Sequence, residues 1–281
     1  MPVLIQQDQL LVELSRDRSI QSIKAMPDRP ATGKLVGTNC GNGLRRAIND
    51  ALPLEQAAGA PLYLLLDDLA GASLIASRAW SRCRVPGAPQ ESFPSPQELK
   101  LRAQQFQEIV GVCIGFRAGS SALSDFDGMA QNNHPVVDLP NPSDSLGWHP
   151  MPECAETSLR RARRIDVWYD GVIHLDAMFQ DSAYTPGGTR VGIHEYTLQA
   201  MVDPDTLELL SLNAEPRILP YPECPAAPGN ITRLLGTQLS KLRRAVPDQL
   251  QGELGGTHLN DTLRALAEVP QLSRRLSPSV F

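Results

Sequence analysis

No two cysteines in this chain stand at metal-finger or redox spacing. Cys40, Cys83, Cys113, Cys154 and Cys224 form an odd, scattered set, which argues against both a disulfide framework and a zinc knuckle. Neither sign of charge is in large excess: 26 Lys and Arg face 31 Asp and Glu, a formal net charge of -5. The overall field therefore gives no reason to expect nucleic acid or an anionic membrane as a partner. Met1 to Leu14 has no basic start, continuous apolar run or small-residue cleavage site, so no secretory signal is expected. The most apolar window, Ala60 to Trp80, is interrupted by Asp67 and Asp68. Two carboxylates in a lone bilayer span are prohibitive, and the window reads as a buried helix. These absences predict a soluble, cytoplasmic protein. Also missing are a Walker-type loop, a G-x-G-x-x-G turn and a G-x-S-x-G elbow, which removes weight from nucleotide-dependent and serine-hydrolase chemistry.

The residues that are present predict an α+β fold of antiparallel sheets with packed helices. Leu10 to Met26 reads as a β-hairpin with a charged turn at Arg16-Asp17-Arg18. Helices are expected over Leu44 to Leu52 and Leu62 to Trp80, the second entered through Pro61. Residues 85 to 95 are dense in Pro, Gly and Ser, a helix is expected from Pro96 to about Val110, and residues 117 to 158 read as a long loop. Two hairpins follow, Arg164 to Phe179 turning at Asp170-Gly171 and Arg190 to Leu212 turning at Asp203-Pro204-Asp205. Helical segments close the chain over Asn230 to Ala245, Val246 to Gln251 and Leu259 to Glu268.

An internal repeat organises this order. Leu35-Val36-Gly37-Thr38, Leu44-Arg45-Arg46-Ala47-Ile48 and Gly59-Ala60-Pro61 are echoed by Leu235-Gly236-Thr237, Leu242-Arg243-Arg244-Ala245-Val246 and Gly255-Gly256-Thr257. The division expected is an N-terminal scaffold repeat over residues 1–84, a linker, helix and loop over 85–158, and a C-terminal repeat carrying the site over 159–281.

All five histidines, His134, His149, His174, His194 and His258, lie outside the first repeat. Strand periodicity puts Ile173, Leu175, Ala177 and Phe179 on the core face of their strand, with His174 and Asp176 on the other. His194 and Tyr196 share a face of the next strand. A sheet face presenting His174, Asp176 and His194 suits a general acid/base pair whose carboxylate fixes the imidazole tautomer. A solvated outer sheet face is the plain alternative. The same side chains with His258 also suit a divalent metal, although no dense ligand spacing accompanies them. Thr257 is placed to cap the helix that follows it, with His258 in the first turn. The basic cluster Arg160, Arg161, Arg163 and Arg164 reads as solvated charge or as a binding edge for an anionic or phenolate group.

Several stretches of the C-terminal region carry a family resemblance. They are Arg164-Ile165-Asp166, His174-Leu175-Asp176-Ala177, Asp181-Ser182, His194-Glu195-Tyr196, the Pro-rich Leu219 to Pro225, and Gly255-Gly256-Thr257-His258-Leu259. As a set they resemble the proteobacterial domain-of-unknown-function family 2889, over about residues 159 to 270. Members typically show a Gly-Cys-Thr-His-Leu string, and this chain has Gly256 where they have Cys. Thiol chemistry or thiolate ligation at that position is therefore not expected here.

The resemblance implies no established activity. Its occurrence among aromatic-degrading bacteria points to a lyase of aromatic catabolism that releases formaldehyde from a lignin-derived dimer. The expectation is thus an enzyme acting on a small aromatic molecule by acid/base chemistry, with no organic cofactor. His174, His194 and His258 are the candidate bases, Asp176 orients one of them, and Arg164 and Tyr196 are the candidate donors. Residues 117 to 152, with His134, Trp148 and His149, are expected to close as a lid. A non-catalytic binding or assembly protein and a metal-dependent hydrolase are the alternatives. A homo-oligomer is left open.

Overall fold

The computed structural model describes residues 5–15, 17–41, 43–82, 109–124, 134–136, 158–184 and 189–276, with side chains described only to residue 76 in the helix that ends at Arg82. The class is α+β, with antiparallel sheets. The chain forms two compact units, Met1–Ser77 and Arg78–Phe281. The helix expected from Pro96 and most of the expected lid lie outside the described residues.

In the first unit, β1 (Gln9–Leu14) pairs with β2 (Ile20–Met26) as an antiparallel hairpin. Leu10, Val12, Leu14 and Ile23 pack onto Leu35, Leu44, Ile48, Leu62 and Leu66. Three helices supply much of that core: α1 (Leu44–Ala51), α2 (Pro53–Ala58) and α3 (Pro61–Arg82). Pro53 and Pro61 open their helices, where a missing N–H costs nothing. Arg18, at the hairpin tip, donates to the carbonyl oxygens of Cys40 and Ala70 and to Ser73 Oγ.

The second unit contains a short helix α4 (Ser121–Ser124) and a four-stranded meander in the order β3 (Ser158–Tyr169), β4 (Ile173–Tyr184), β5 (Arg190–Val202), β6 (Leu209–Ile218). The strands run further than the apolar alternation predicts, because β3 carries its arginines inside the sheet. One sheet face, with Leu175, Ala177, Phe179, Tyr196, Leu198 and Ala200, packs onto Leu234, Leu242, Val246, Leu259, Leu263 and Leu266. These come from a 3-10 helix (Cys224–Leu234) and from α5 (Leu242–Gln249), α6 (Thr257–Ala265) and the 3-10 turn Leu266–Glu268. Helix α7 (Val269–Ser273) follows. The single helix expected over Asn230 to Ala245 is broken at Gly236, whose φ of 74° ends the 3-10 segment.

Both units use one local pattern. Ile20 N–H donates to Thr38 O and Gly37 N–H to Ile20 O; Leu209 N–H donates to Thr237 O and Gly236 N–H to Leu209 O. Cys40 N–H to Arg18 O is matched by Leu239 N–H to Leu207 O. Among the described residues, Arg18 and Leu207 are the two non-glycine residues with positive φ. In each case a strand turns back onto a 3-10 segment that delivers the Leu-Arg-Arg-Ala helix.

Candidate functional site

The pairing register brings three side chains into one row across the sheet. Arg161 on β3 faces Asp181 on β4, and Asp181 faces His194 on β5. Counting in twos from Ile173 through Phe179 reaches Asp181, so the apolar stripe of β4 ends in a carboxylate on the core face. Immediately beyond this pair the register slips, and Ser182 faces Gly192. The extra residue, Ile193, makes a β-bulge, a feature that re-aims side chains. A Cβ at Gly192 would lie 2.5 Å from Ile218 Cδ1, so a larger residue there would force the Ile218 side chain to shift.

Asp181 is fully buried and held by a bidentate Arg161, with Nε 2.9 Å from Oδ1 and Nη2 3.0 Å from Oδ2. Arg161 Nη1 also donates to Asp261 Oδ2 at 3.1 Å, tying the sheet to α6. Burial acts to raise the Asp181 carboxyl, but the Arg161 charge and hydrogen bonds, with His194 and His258 close by, outweigh it. The group sits well below the usual carboxylate range.

Two imidazoles converge on this carboxylate. His194 Nδ1 and His258 Nε2 each lie 3.6 Å from Asp181 Oδ2, and both residues are buried. Their rings stack, with centroids 3.6 Å apart and an interplanar angle of 17°. His258 comes from the first turn of α6, whose N-cap is Gly256. The expected Thr257 cap is therefore corrected: Thr257 is already helical, and its Oγ1 lies 3.1 Å from His258 Nδ1. Phe179, whose ring is 6.3 Å from that of His258, sits under the Arg161 and Arg163 guanidinium groups.

Of the residues singled out from the sequence, His194, His258 and Tyr196 lie in this region. Tyr196 is buried on the His194 face of β5, and burial, with the Cys224 and Cys113 thiols, pushes its phenol up. His174, Asp176 and Arg164 are on the opposite sheet face. The shared face expected for His174, Asp176 and His194 is thus corrected, because His194 pairs with Asp181 while Asp176 pairs with Gln199. His174 Nε2 lies 2.6 Å from Asp170 Oδ1, and its ring stacks on Trp168. Arg164 bridges Asp176 and Asp166 at 2.7 and 3.1 Å. Trp168 and His174 line an open groove of about 420 Å³ with Gln199, Met201, Ser211 and Asn213. Among the described parts of the expected lid, His134 accepts from Gly192 N–H through its carbonyl oxygen.

Asp181 and Asp261 carry no expected site role in the sequence reading, and Arg161 enters it only within the basic cluster Arg160, Arg161, Arg163 and Arg164. The signal for Asp181 was its place two residues beyond Phe179 on an apolar stripe.

Asp181, His194 and His258 offer one ligand atom each, all within 4.8 Å of one another, a set able to hold a divalent ion. Two features oppose it. Arg161 already engages both Asp181 oxygens. An ion between two nearly parallel rings would lie out of both ring planes, whereas an imidazole lone pair lies in its plane.

Residues 159–271 match the family described as Protein of unknown function (DUF2889). The match spans β3 to β6 and the helices that carry His258 and Asp261. No curated protein and no solved structure matches the chain.

Proposed function

We propose that the second unit is an enzyme that moves protons on a small aromatic molecule, without an organic cofactor. The observation that carries this reading is the stacked, buried pair His194 and His258 on one oxygen of Asp181. Arg161 bridges Asp181 and Asp261, and the two imidazoles stack against the Asp181 carboxylate. Two protonated rings in contact would repel one another, so in this reading one ring serves as the acid and the other as the base. Asp181, anchored by Arg161, holds the orientation of both rings.

Our reading of the reaction is a carbon–carbon lyase. The neutral imidazole takes the proton of a hydroxymethyl O–H, and the C–C bond breaks as the C=O of formaldehyde forms. The released electron pair stays on the former neighbour carbon, which the imidazolium protonates. Free thiols at Cys40, Cys113 and Cys224 support a reducing, cytoplasmic setting.

The test is formaldehyde release from a panel of hydroxymethyl-bearing aromatic dimers by wild type, His194→Asn and His258→Asn. Each single change is expected to lower kcat by about 10²- to 10⁴-fold. Ligand binding with no turnover by the wild type would instead indicate a binding protein. The convergence of Asp181, His194 and His258 favours a second reading, a metal-dependent hydrolase. Activity that a chelator removes and a divalent ion restores would establish it over the first.

A further inference from the structure

The hairpin of the first unit ends on a bare edge. β1 pairs with β2 and, among the described residues, with no other strand. Its sequence, Gln9 to Leu14, holds no proline and no lysine, two residues that commonly blunt such an edge. An edge of this kind presents a row of unpaired N–H and C=O groups that a further strand can complete.

The second unit shows what completes such an edge. There β5 and β6 form the matching hairpin: β6 starts against Gly236 and Thr237 as β2 starts against Gly37 and Thr38. The register slips at the same place in both, between Glu13 and Leu14 and between Met201 and Val202. Leu10, Val12 and Leu14 thus correspond to Leu198, Ala200 and Val202. Across the far edge of β5 those three face Ala177, Leu175 and Ile173 of the antiparallel β4, and they are at most 5% exposed. Leu10, Val12 and Leu14 have no such strand beside them and are only half-buried. The first core is therefore short of one strand with three apolar residues at alternate positions.

β1 itself meets that description. We propose that β1 pairs with β1 of a second copy of this chain, antiparallel about a twofold axis, giving one sheet in the order β2-β1-β1-β2. The sheet of the second unit has the same build, two hairpins joined edge to edge through β4 and β5. The register that sets three apolar residues against three places Val12 opposite Val12 of the other copy and Leu10 opposite Leu14. Both open edges are then used, so assembly stops at two copies. On the outer face this register sets Leu11, 62% exposed in the single chain, opposite Glu13 of the other copy, twice by symmetry. The pairing is independent of the chemistry proposed for His194 and His258.

Sedimentation equilibrium on the full-length protein should show a concentration-dependent dimer, and the β1 amides should exchange with deuterium more slowly in it. Leu11→Glu sets carboxylate against carboxylate across the new pair and should raise the dimer Kd about tenfold. Leu11→Lys faces the same carboxylate with the opposite charge and should not raise it. Adding Glu13→Lys to Leu11→Glu should restore the dimer. Because Leu11 is exposed, the variants are expected to keep the wild-type dichroism spectrum. A wild type that stays monomeric throughout its soluble range overturns the proposal. So does a dimer that Leu11→Glu leaves as tight, since the contact then lies elsewhere on the molecule. Equal weakening by Glu and Lys at position 11 overturns it as well, because the pairing with Glu13 is then absent.

Discussion

At Asp181 burial and pairing oppose one another, and the outcome can be measured. A carboxylate taken wholly out of water is tolerable only because Arg161 meets both of its oxygens. Removing the guanidinium leaves a buried charge without compensation. Arg161→Met is therefore expected to cost about 3–5 kcal/mol in urea unfolding, and adding Asp181→Asn should restore a large part of it. The pH dependence has a definite sign. The folded-state pKa of Asp181 lies below its unfolded value. Its contribution is fully present above about pH 4 and is lost as pH falls from there toward the lowered value. The wild-type urea midpoint should drop through that acid window, and the drop should be smaller in Asp181→Asn. Equal acid limbs in the two proteins would show that the carboxylate is not held in this way.

The elements that place these side chains were partly legible in sequence. Alternation along β4 correctly separates Ile173, Leu175, Ala177 and Phe179 from His174 and Asp176. It does not reveal that the core stripe continues into Asp181, because a charged residue reads as surface until its partner is known. That partner, Arg161, lies 20 residues away in sequence and is chosen by strand register. The bulge at Ile193 is equally invisible, since one extra residue has no compositional mark beyond Gly192. Thr257 reads as the α6 cap because a Ser or Thr before a helix usually caps it, whereas here the chain enters through two glycines and Gly256 is the N-cap. Gly192 offers a test of the bulge. Gly192→Ala would drive a Cβ against Ile218 Cδ1, and overpacking of this kind costs about 1–3 kcal/mol. Ile218→Val removes the clashing methyl, so the double variant should regain most of the loss in denaturant unfolding. A double variant as weak as the single would place the cost elsewhere.

Across the whole molecule, chemistry-bearing residues are unevenly divided between the two units. Both build the same turn onto a Leu-Arg-Arg-Ala helix, with Gly37 and Gly236 at positive φ. The first carries a two-stranded hairpin and the second four strands. The added strands supply the Arg161, Asp181 and His194 row. No histidine or tryptophan occurs in residues 1–77, whereas Trp80, Trp148 and Trp168 follow them. Trp80 lies on α3, a helix of the first core, so the background variant Trp80→Phe leaves Trp148 and Trp168 as fluorescence reporters of the second unit, and far-ultraviolet circular dichroism reports both. Each unit has its own apolar core, Leu35, Leu44, Ile48 and Leu66 in the first and Phe179, Leu198, Leu259 and Leu263 in the second. Ile48→Ala, a cavity in the first core alone, is expected to cost that unit about 2–5 kcal/mol. The dichroism transition should then broaden and begin at lower urea, while the fluorescence midpoint and the turnover assigned to His194 and His258 stay in place. A fluorescence midpoint that moves together with the dichroism would mean that the two cores unfold as one cooperative block.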